Sequence, residues 1–255
     1  MSAVLEQRAD LFFNLVRADL TVRYNTTVLG TLWFVLNPLF MTLILTVVFQ
    51  HVVRLDIPRY PVFVLSALLP WTLFQMGLGN ASTAVTRSAA LVKRSRVPRA
   101  FLPLAAIGAS AVHFLISLVV LFGLMAIQGT PITRYILLLP FVVLLQLCCL
   151  TGLGLAVAGL NVVYRDVEHI LTIALRVGFY LTPSFYPVAY VPPAWRDLYL
   201  LNPTASIIEI YRRTLAEGTA APGGVWATAT ATSLLLLLAG WWIFKRLEPH
   251  FDDHV

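Results

Sequence analysis

Charge is what this chain has least of. Only 12% of its 255 residues are Asp, Glu, Lys or Arg, where a soluble domain carries about a quarter. With 59% hydrophobic residues and a mean hydropathy of +0.82, it has too few polar side chains to cover a water-facing surface. Lipid is its natural solvent. Lysine is scarcer still: Lys93 and Lys245 follow Val92 and Phe244. No glycine-rich loop therefore ends in a lysine, which excludes nucleotide hydrolysis on a phosphate-cradling loop. The two cysteines, Cys148 and Cys149, are adjacent; they make a poor disulfide framework and have no metal-spaced companions. Carboxylates are missing from the long apolar runs, which removes the relays that ion-coupled pumps keep there. Asp166 and Glu168 form a close acidic pair in a short loop. With no acidic partner nearby, they give a membrane-embedded transferase little to work with. The N-terminus mixes both charge signs and lacks a continuous apolar region, so it does not read as a cleavable signal peptide.

What is there is a set of long apolar segments. Six, at about 31–53, 62–83, 101–127, 135–161, 169–190 and 225–244, reach the ~20 residues that a helix needs to cross a bilayer core. The fold class expected is all-α integral membrane, one membrane domain over 1–255. Spans one to five occupy 31–190, the sixth 225–244, and a tail 245–255. Pro38, Pro70, Pro103, Pro140 and Pro183 fall within spans and predict kinks that neighbouring helices satisfy. With both termini in the cytoplasm, eleven of the 18 Lys and Arg lie inside and six outside. Cytoplasmic loops collect such residues, so this orientation is expected, and it explains the net charge of +6 without nucleic acid. The densest basic strip, TRSAALVKRSRVPR at 86–99, is then cytoplasmic. Residues 4–24 alternate Leu5, Ala9, Phe12, Val16 and Leu20 with Glu6, Asp10, Asn14, Arg17 and Thr21. That pattern predicts an amphipathic helix, either lying in the inner interface or packed on a partner. The apolar stretch 198–211, interrupted by Asn202-Pro203, is too short to span. It fits a surface helix or a broken, re-entrant pair within 191–222.

Ionisable residues within the spans are few. His113 reads as a hydrogen-bonded packing residue, and Arg176 either snorkels to the inner interface or lines a polar path. Aromatics are plentiful: TLWFVLNPLF contributes Trp33, Phe34, Asn37 and Phe40, and FYLTPSFYPVAY contributes Phe179, Tyr180, Phe185 and Tyr186. Interfacial belts account for Trp33 and Tyr190 but less well for the deeper Phe179 and Tyr180. Aromatic faces meet the C–H faces of sugars through dispersion, which suits a wall past which a polymer slides. These eight residues are the candidate channel lining.

Four segments carry a resemblance: VRYNTTVLGTLWFVLNPLF, LVKRSRVPRAFLPLA, NVVYRDVEHI, and LTPSFYPVAYVP followed by LNPTASIIEIYRRTL. In this order, over nearly the whole chain, they resemble the permease subunit of type-2 ABC exporters for polysaccharides, the group moving O-antigen, capsule and teichoic-acid polymers. Val97 stands where that group often has an aromatic before Pro-Arg. The resemblance implies six spans, an interfacial N-terminal helix and short outer gate helices. It also implies a homodimer working with two copies of a separate ATPase. ATP and Mg would then sit on that partner, with no cofactor bound by this chain. Coupling to the ATPase would fall to Arg87, Lys93, Arg94, Arg96 and Arg99, around a short helix at 83–92, and to Arg165, Asp166 and Glu168. The gate would hold Asn202, Pro203, Glu209, Tyr211 and Arg212, on helices 194–202 and 203–217. A lipid-linked polysaccharide would come in from the cytoplasmic side, where Arg8, Arg17, Arg23 and Arg176 attract a diphosphate-like head. The expected location is the bacterial inner membrane. A type-2 permease for a small hydrophobic drug or glycolipid stays open as an alternative, and a membrane-embedded transferase as a remote one.

Overall fold

In a computed structural model, which describes residues 2–24, 32–89 and 97–251, the chain is a bundle of helices. The first, α1 (Ser2–Tyr24), precedes α2 (Trp33–Thr46), which Val47–Val52 extends as a wider π-helical turn. Next come α3 (Tyr60–Arg87) and α4 (Phe101–Ile127). A 3-10 turn, Arg134–Leu138, leads into α5 (Leu139–Val163), followed by α6 (Val167–Tyr180). Two short helices, α7 (Pro193–Leu200) and α8 (Pro203–Arg212), precede α9 (Gly223–Leu247). Among the described residues, five helical stretches are long and apolar enough to cross a membrane.

The central element is α3. It is apolar around most of its circumference and buried there, apart from a polar strip through Thr72, Gln75 and Asn80. Val62, Leu65, Leu69, Trp71, Leu73, Phe74 and Leu78 anchor the main core. Pro70 lies inside this helix and Pro38 inside α2, while Pro140 occupies the opening turn of α5, where a missing N–H costs nothing. Side chains facing away from the core on α2 (Phe40, Leu43, Ile44) and on α9 (Leu234, Leu235, Leu238) are exposed. The most extensively packed pair, α5 and α9, touch backbone to backbone. A Cβ added at Gly240 would sit 1.8 Å from the Gly152 carbonyl oxygen, and one added at Gly152 would sit 2.2 Å from that of Leu236. Glycine is what allows this approach.

One expectation changes, and two gain detail. The expected fifth span is helical only over Val167–Tyr180, 14 residues that rise about 21 Å, short of a ~30 Å core. Pro183 therefore does not kink a helix; it lies beyond the helix end. Pro183 and Pro187 each bar the preceding residue from helical geometry, so the backbone from Leu181 to Pro187 turns instead. Of the short helix expected at 83–92, residues 83–87 belong to α3, which runs unbroken to Arg87, where the Ser88 N–H returns to the Val85 carbonyl at 3.1 Å; 90–92 lie outside the described residues. Finally, α1 lies against protein along one face. Val16 packs on Ala105 and Ala109, close against Gly108, where a Cβ would lie 3.1 Å from Val16 Cγ2.

Candidate functional site

A cleft of about 650 Å³ opens between α2, α3 and α6. Each helix presents residues spaced three or four apart, as one helical face requires. Asn37 and Met41 come from α2, Leu68, Thr72, Gln75, Met76 and Gly79 from α3, and Thr172, Arg176 and Phe179 from α6. The cleft is unusual in this apolar chain for its polar groups: Asn37, Thr72, Gln75, Asn80, Thr172 and Arg176 all line it. Polar side chains at such depth gather where a cavity can solvate them or a ligand can meet them. Thr72 and Thr172 return their hydroxyl protons to the carbonyls of Leu68 (2.8 Å) and Glu168 (2.9 Å), and Asn80 Nδ2 donates to Ser110 Oγ at 3.2 Å. Arg176, on the exposed side of α6, brings the cation to this wall.

From the cleft an unbroken series of rings leads along the bundle. Trp71 lies 5.9 Å from Phe179, which lies 5.4 Å from Tyr180 and 5.7 Å from Phe185. Phe185 then meets Tyr186 at 5.0 Å and stacks on Phe49 at 5.2 Å, and Phe49 leads to Tyr60 and Phe63. Gly178 permits the first step, since a Cβ there would stand 3.0 Å from Trp71 Cη2. The structure thus brings together four of the eight residues singled out from sequence, Phe179, Tyr180, Phe185 and Tyr186, and places Asn37 in the adjoining cleft. Trp33 and Phe40 are exposed on α2, and the Phe34 side chain lies outside the described residues. Trp71, Tyr60 and Phe63, all buried, and the half-buried Phe49 carry the series into the core behind them and were missed. They sit in segments read only as apolar runs, although a tryptophan following Pro70 was a usable signal.

The segment 181–191 is held by backbone capture. Tyr60 donates its hydroxyl to the Phe185 carbonyl at 2.8 Å. Arg212, with none of its surface exposed, donates through Nη1 to the Tyr186 carbonyl at 3.0 Å and through Nη2 to that of Pro183. Its guanidinium lies 3.9 Å from the centre of the Phe63 ring. Burial pulls Arg212, outside the five spanning stretches, down to about 10, which still leaves it charged at neutral pH. Glu209 does not pair with it; the carboxylate meets Arg213 Nε at 2.7 Å.

Helices α7 and α8 differ sharply. All residues of α8 from Thr204 to Arg212 are buried, whereas α7 is exposed along most of its length. Asn202 caps α8, its Oδ1 accepting from the Thr204 N–H at 3.1 Å and hydroxyl at 2.6 Å, and Pro203 takes the first helical position, as their chemistry favours. The start of α8 reaches the middle of α3, where Thr204, Ile207 and Ile208 share a small cavity with Pro70, Trp71 and Phe74. Tyr211 donates to Gln146 Oε1 at 2.8 Å, and Gln146 Nε2 donates to the Pro70 carbonyl at 2.7 Å. By contrast α7 is tied to the preceding segment by Tyr199–Tyr186 hydroxyls 3.0 Å apart and by Arg196 on the Ala189 and Val191 carbonyls. Burial raises the Tyr199 phenol well above its ordinary value.

At the opposite end of α3 a second cleft, of about 460 Å³, lies between the ends of α3 and α5 and the start of α6. Thr86, Asn161, Arg165, Glu168 and His169 line it. Arg165 and Glu168 thus come together there, with Asp166 exposed at the α5–α6 turn. Arg87 lines a third cleft with Leu15, Asp19, Asn80 and Leu102. Arg99 is engaged within the chain, donating to the Glu248 carbonyl at 2.6 Å and lying 5.9 Å from the Phe251 ring. Lys93, Arg94 and Arg96 lie outside the described residues, as does the Arg23 side chain, while Arg8 and Arg17 are exposed on α1. Among the described residues no three His, Cys, Asp or Glu side chains gather at metal-binding distance.

Comparison with known proteins agrees in one direction. The family described as ABC-2 type transporter matches residues 10–216. The chain is 31% identical over 253 residues to the O-antigen export system permease protein RfbA of Myxococcus xanthus, covering 98% of this chain and 97% of that one. It is 29% identical over 245 residues to the Klebsiella pneumoniae protein of the same name, covering 96% and 94%. It is 24% identical over 238 residues to the polysialic acid transport protein KpsM of Escherichia coli, covering 90% of each.

Proposed function

The chain belongs to the ABC-2 type transporter family, and from that premise we propose that it is the membrane-embedded half of an ATP-driven polysaccharide exporter. Two copies pair in the bacterial inner membrane, each served by a separate ATPase chain that holds ATP and Mg. Both termini are cytoplasmic. A sixth crossing is completed by α6 with the segment through Tyr190, and α7 and α8 form a re-entrant gate at the outer end. The cargo is a lipid-linked polymer of the O-antigen type, moved outward.

The observation that carries this reading is the polar cleft between α2, α3 and α6 that continues into the partly exposed rings of Phe179, Tyr180, Phe185 and Tyr186. Polar side chains offer exchangeable hydrogen bonds to sugar hydroxyls. Aromatic faces offer dispersion contacts indifferent to exact register. Neither traps a chain that has to slide. The guanidinium of Arg176 supplies the geometry for a phosphate-bearing head, with Arg8, Arg17 and Arg23 on the approach. The power stroke arrives at the opposite end of the same helix. Arg165, Asp166 and Glu168 stand at the start of α6 and Phe179–Tyr180 at its end, 14 residues along a single rigid element. A partner pressing on the α5–α6 turn, and on Arg87 at the end of α3, thereby displaces the wall. Coupling is assigned to Arg94 and Arg96 as well, by their charge, and Arg99 braces the contact surface against the chain's own tail.

The test is made in the host. Removing the chain should abolish surface polysaccharide while lipid-linked polymer accumulates inside. Restoring it with Phe179→Ala and Tyr180→Ala together should leave ATPase assembly intact and lower surface polymer about tenfold, the loss of roughly 1.4 kcal/mol of contact per passage. Normal surface polymer with the double variant would remove the aromatic wall.

A further inference from the structure

Backbone that leaves a helix inside a membrane protein must find partners for its carbonyls, because lipid offers none. The segment Thr182–Pro187 is such a place. The Thr182, Pro183 and Ser184 side chains are buried, and the chain turns here with two prolines that cannot donate. Three of its carbonyls, those of Pro183, Phe185 and Tyr186, are captured by two side chains from elsewhere in the fold: Arg212 of α8 and Tyr60 of α3. The two Arg212 nitrogens that do this belong to one flat fork, and its face lies on Phe63. A lysine has neither the fork nor the face. The rings carried on this captured backbone, Phe185 and Tyr186, are the ones that join Phe179 and Tyr180 to Phe49.

We infer that Arg212 and Tyr60 are positioning residues: they hold the 182–187 backbone so that its rings stay on the polymer's route. Neither needs to touch the cargo. Arg212 acts through carbonyl capture, so its geometry matters as well as its charge. The inference rests on the aromatic route proposed above, and its test separates the two.

The experiment uses the full chain with its partner ATPase in native membranes, with Cys148→Ala and Cys149→Ala and a reporter Ser184→Cys. Ser184 is 1% exposed, so a membrane-impermeant maleimide should label the reporter slowly. Adding Arg212→Gln, which keeps hydrogen-bonding groups but loses the fork and charge, should raise the labelling rate about tenfold as the segment opens. Surface polymer should fall by about the same factor. Arg212→Lys should behave nearly like Arg212→Gln despite keeping its charge. Tyr60→Phe, which removes one hydroxyl and keeps the ring, should give about a threefold change in each readout, and it carries the test should the Arg212 variants fail to insert. An unchanged labelling rate in Arg212→Gln and Tyr60→Phe overturns the positioning role. Export rescued by Arg212→Lys alone overturns the fork geometry in favour of charge. Faster labelling with normal surface polymer overturns the route itself, leaving Arg212 a structural pin.

Discussion

At the scale of single residues, the bundle depends on a small number of polar side chains placed where apolar ones would be expected. Gln146 is the clearest. It is buried in the run FVVLLQLCCL, accepts from Tyr211 and donates to the Pro70 carbonyl, so one amide ties α8, α5 and α3. Gln146→Leu leaves the Tyr211 hydroxyl buried without a partner. The expected loss is about 1–3 kcal/mol, read as a lower midpoint of thermal unfolding in detergent. Gln146→Glu accepts from Tyr211, but its ionised carboxylate loses the donor to Pro70 and is buried without a cation, so it should destabilise at least as much. Gln146 was readable as an isolated amide in an apolar run; its partners were not, because Tyr211 is 65 residues away. Arg212 shows the same division. Its place beside Tyr211 at the end of an amphipathic stretch was visible, but its commitment to the Pro183 and Tyr186 carbonyls depends on how the chain returns.

At the scale of elements, periodicity and length identified α1 and five spanning stretches, and overestimated the helical length of α6. Hydropathy sums apolar content and does not sense that Pro183 and Pro187, four apart, stop a helix that neighbouring protein can then support in an irregular path. The packing of α5 on α9 also escaped the composition, since nothing in the spacing of Gly152 and Gly240 marks them as opposite one another. Gly240→Val forces the helices apart at a backbone contact. It should cost about 3 kcal/mol, the upper end for overpacking, seen as loss of folded protein on extraction. The same substitution at Gly123, which faces open space, should be tolerated.

For the whole molecule, the exposed apolar faces of α2 and α6 are where the proposed second copy would seat. Ile173, 62% exposed on α6, is the place to test it. In a chain with Cys148 and Cys149 replaced by alanine, Ile173→Cys should cross-link to a second copy under mild oxidation in membranes. Leu235→Cys on α9, also exposed, should stay monomeric. Coupling is testable at the other end. Arg165→Glu, and the pair Arg94→Glu with Arg96→Glu, should each leave the protein inserted while removing the transport-stimulated part of ATP hydrolysis. Unchanged stimulation would return these residues to the lesser task of fixing orientation by charge.

Composition alone determined the solvent. So little charge among so many apolar residues can only be a chain that spends most of its surface against lipid or itself. Local pattern determined where helices begin and which loop ends are basic, because caps, prolines and charge act over one or two turns. What lines the cleft, which rings follow one another from Trp71 to Phe63, and what holds the carbonyls of 183–186 were decided by the tertiary structure. Those contacts join residues as far apart in sequence as Phe49 and Phe185, and in an apolar chain every helix face looks equally able to be the inner one until the others are packed against it.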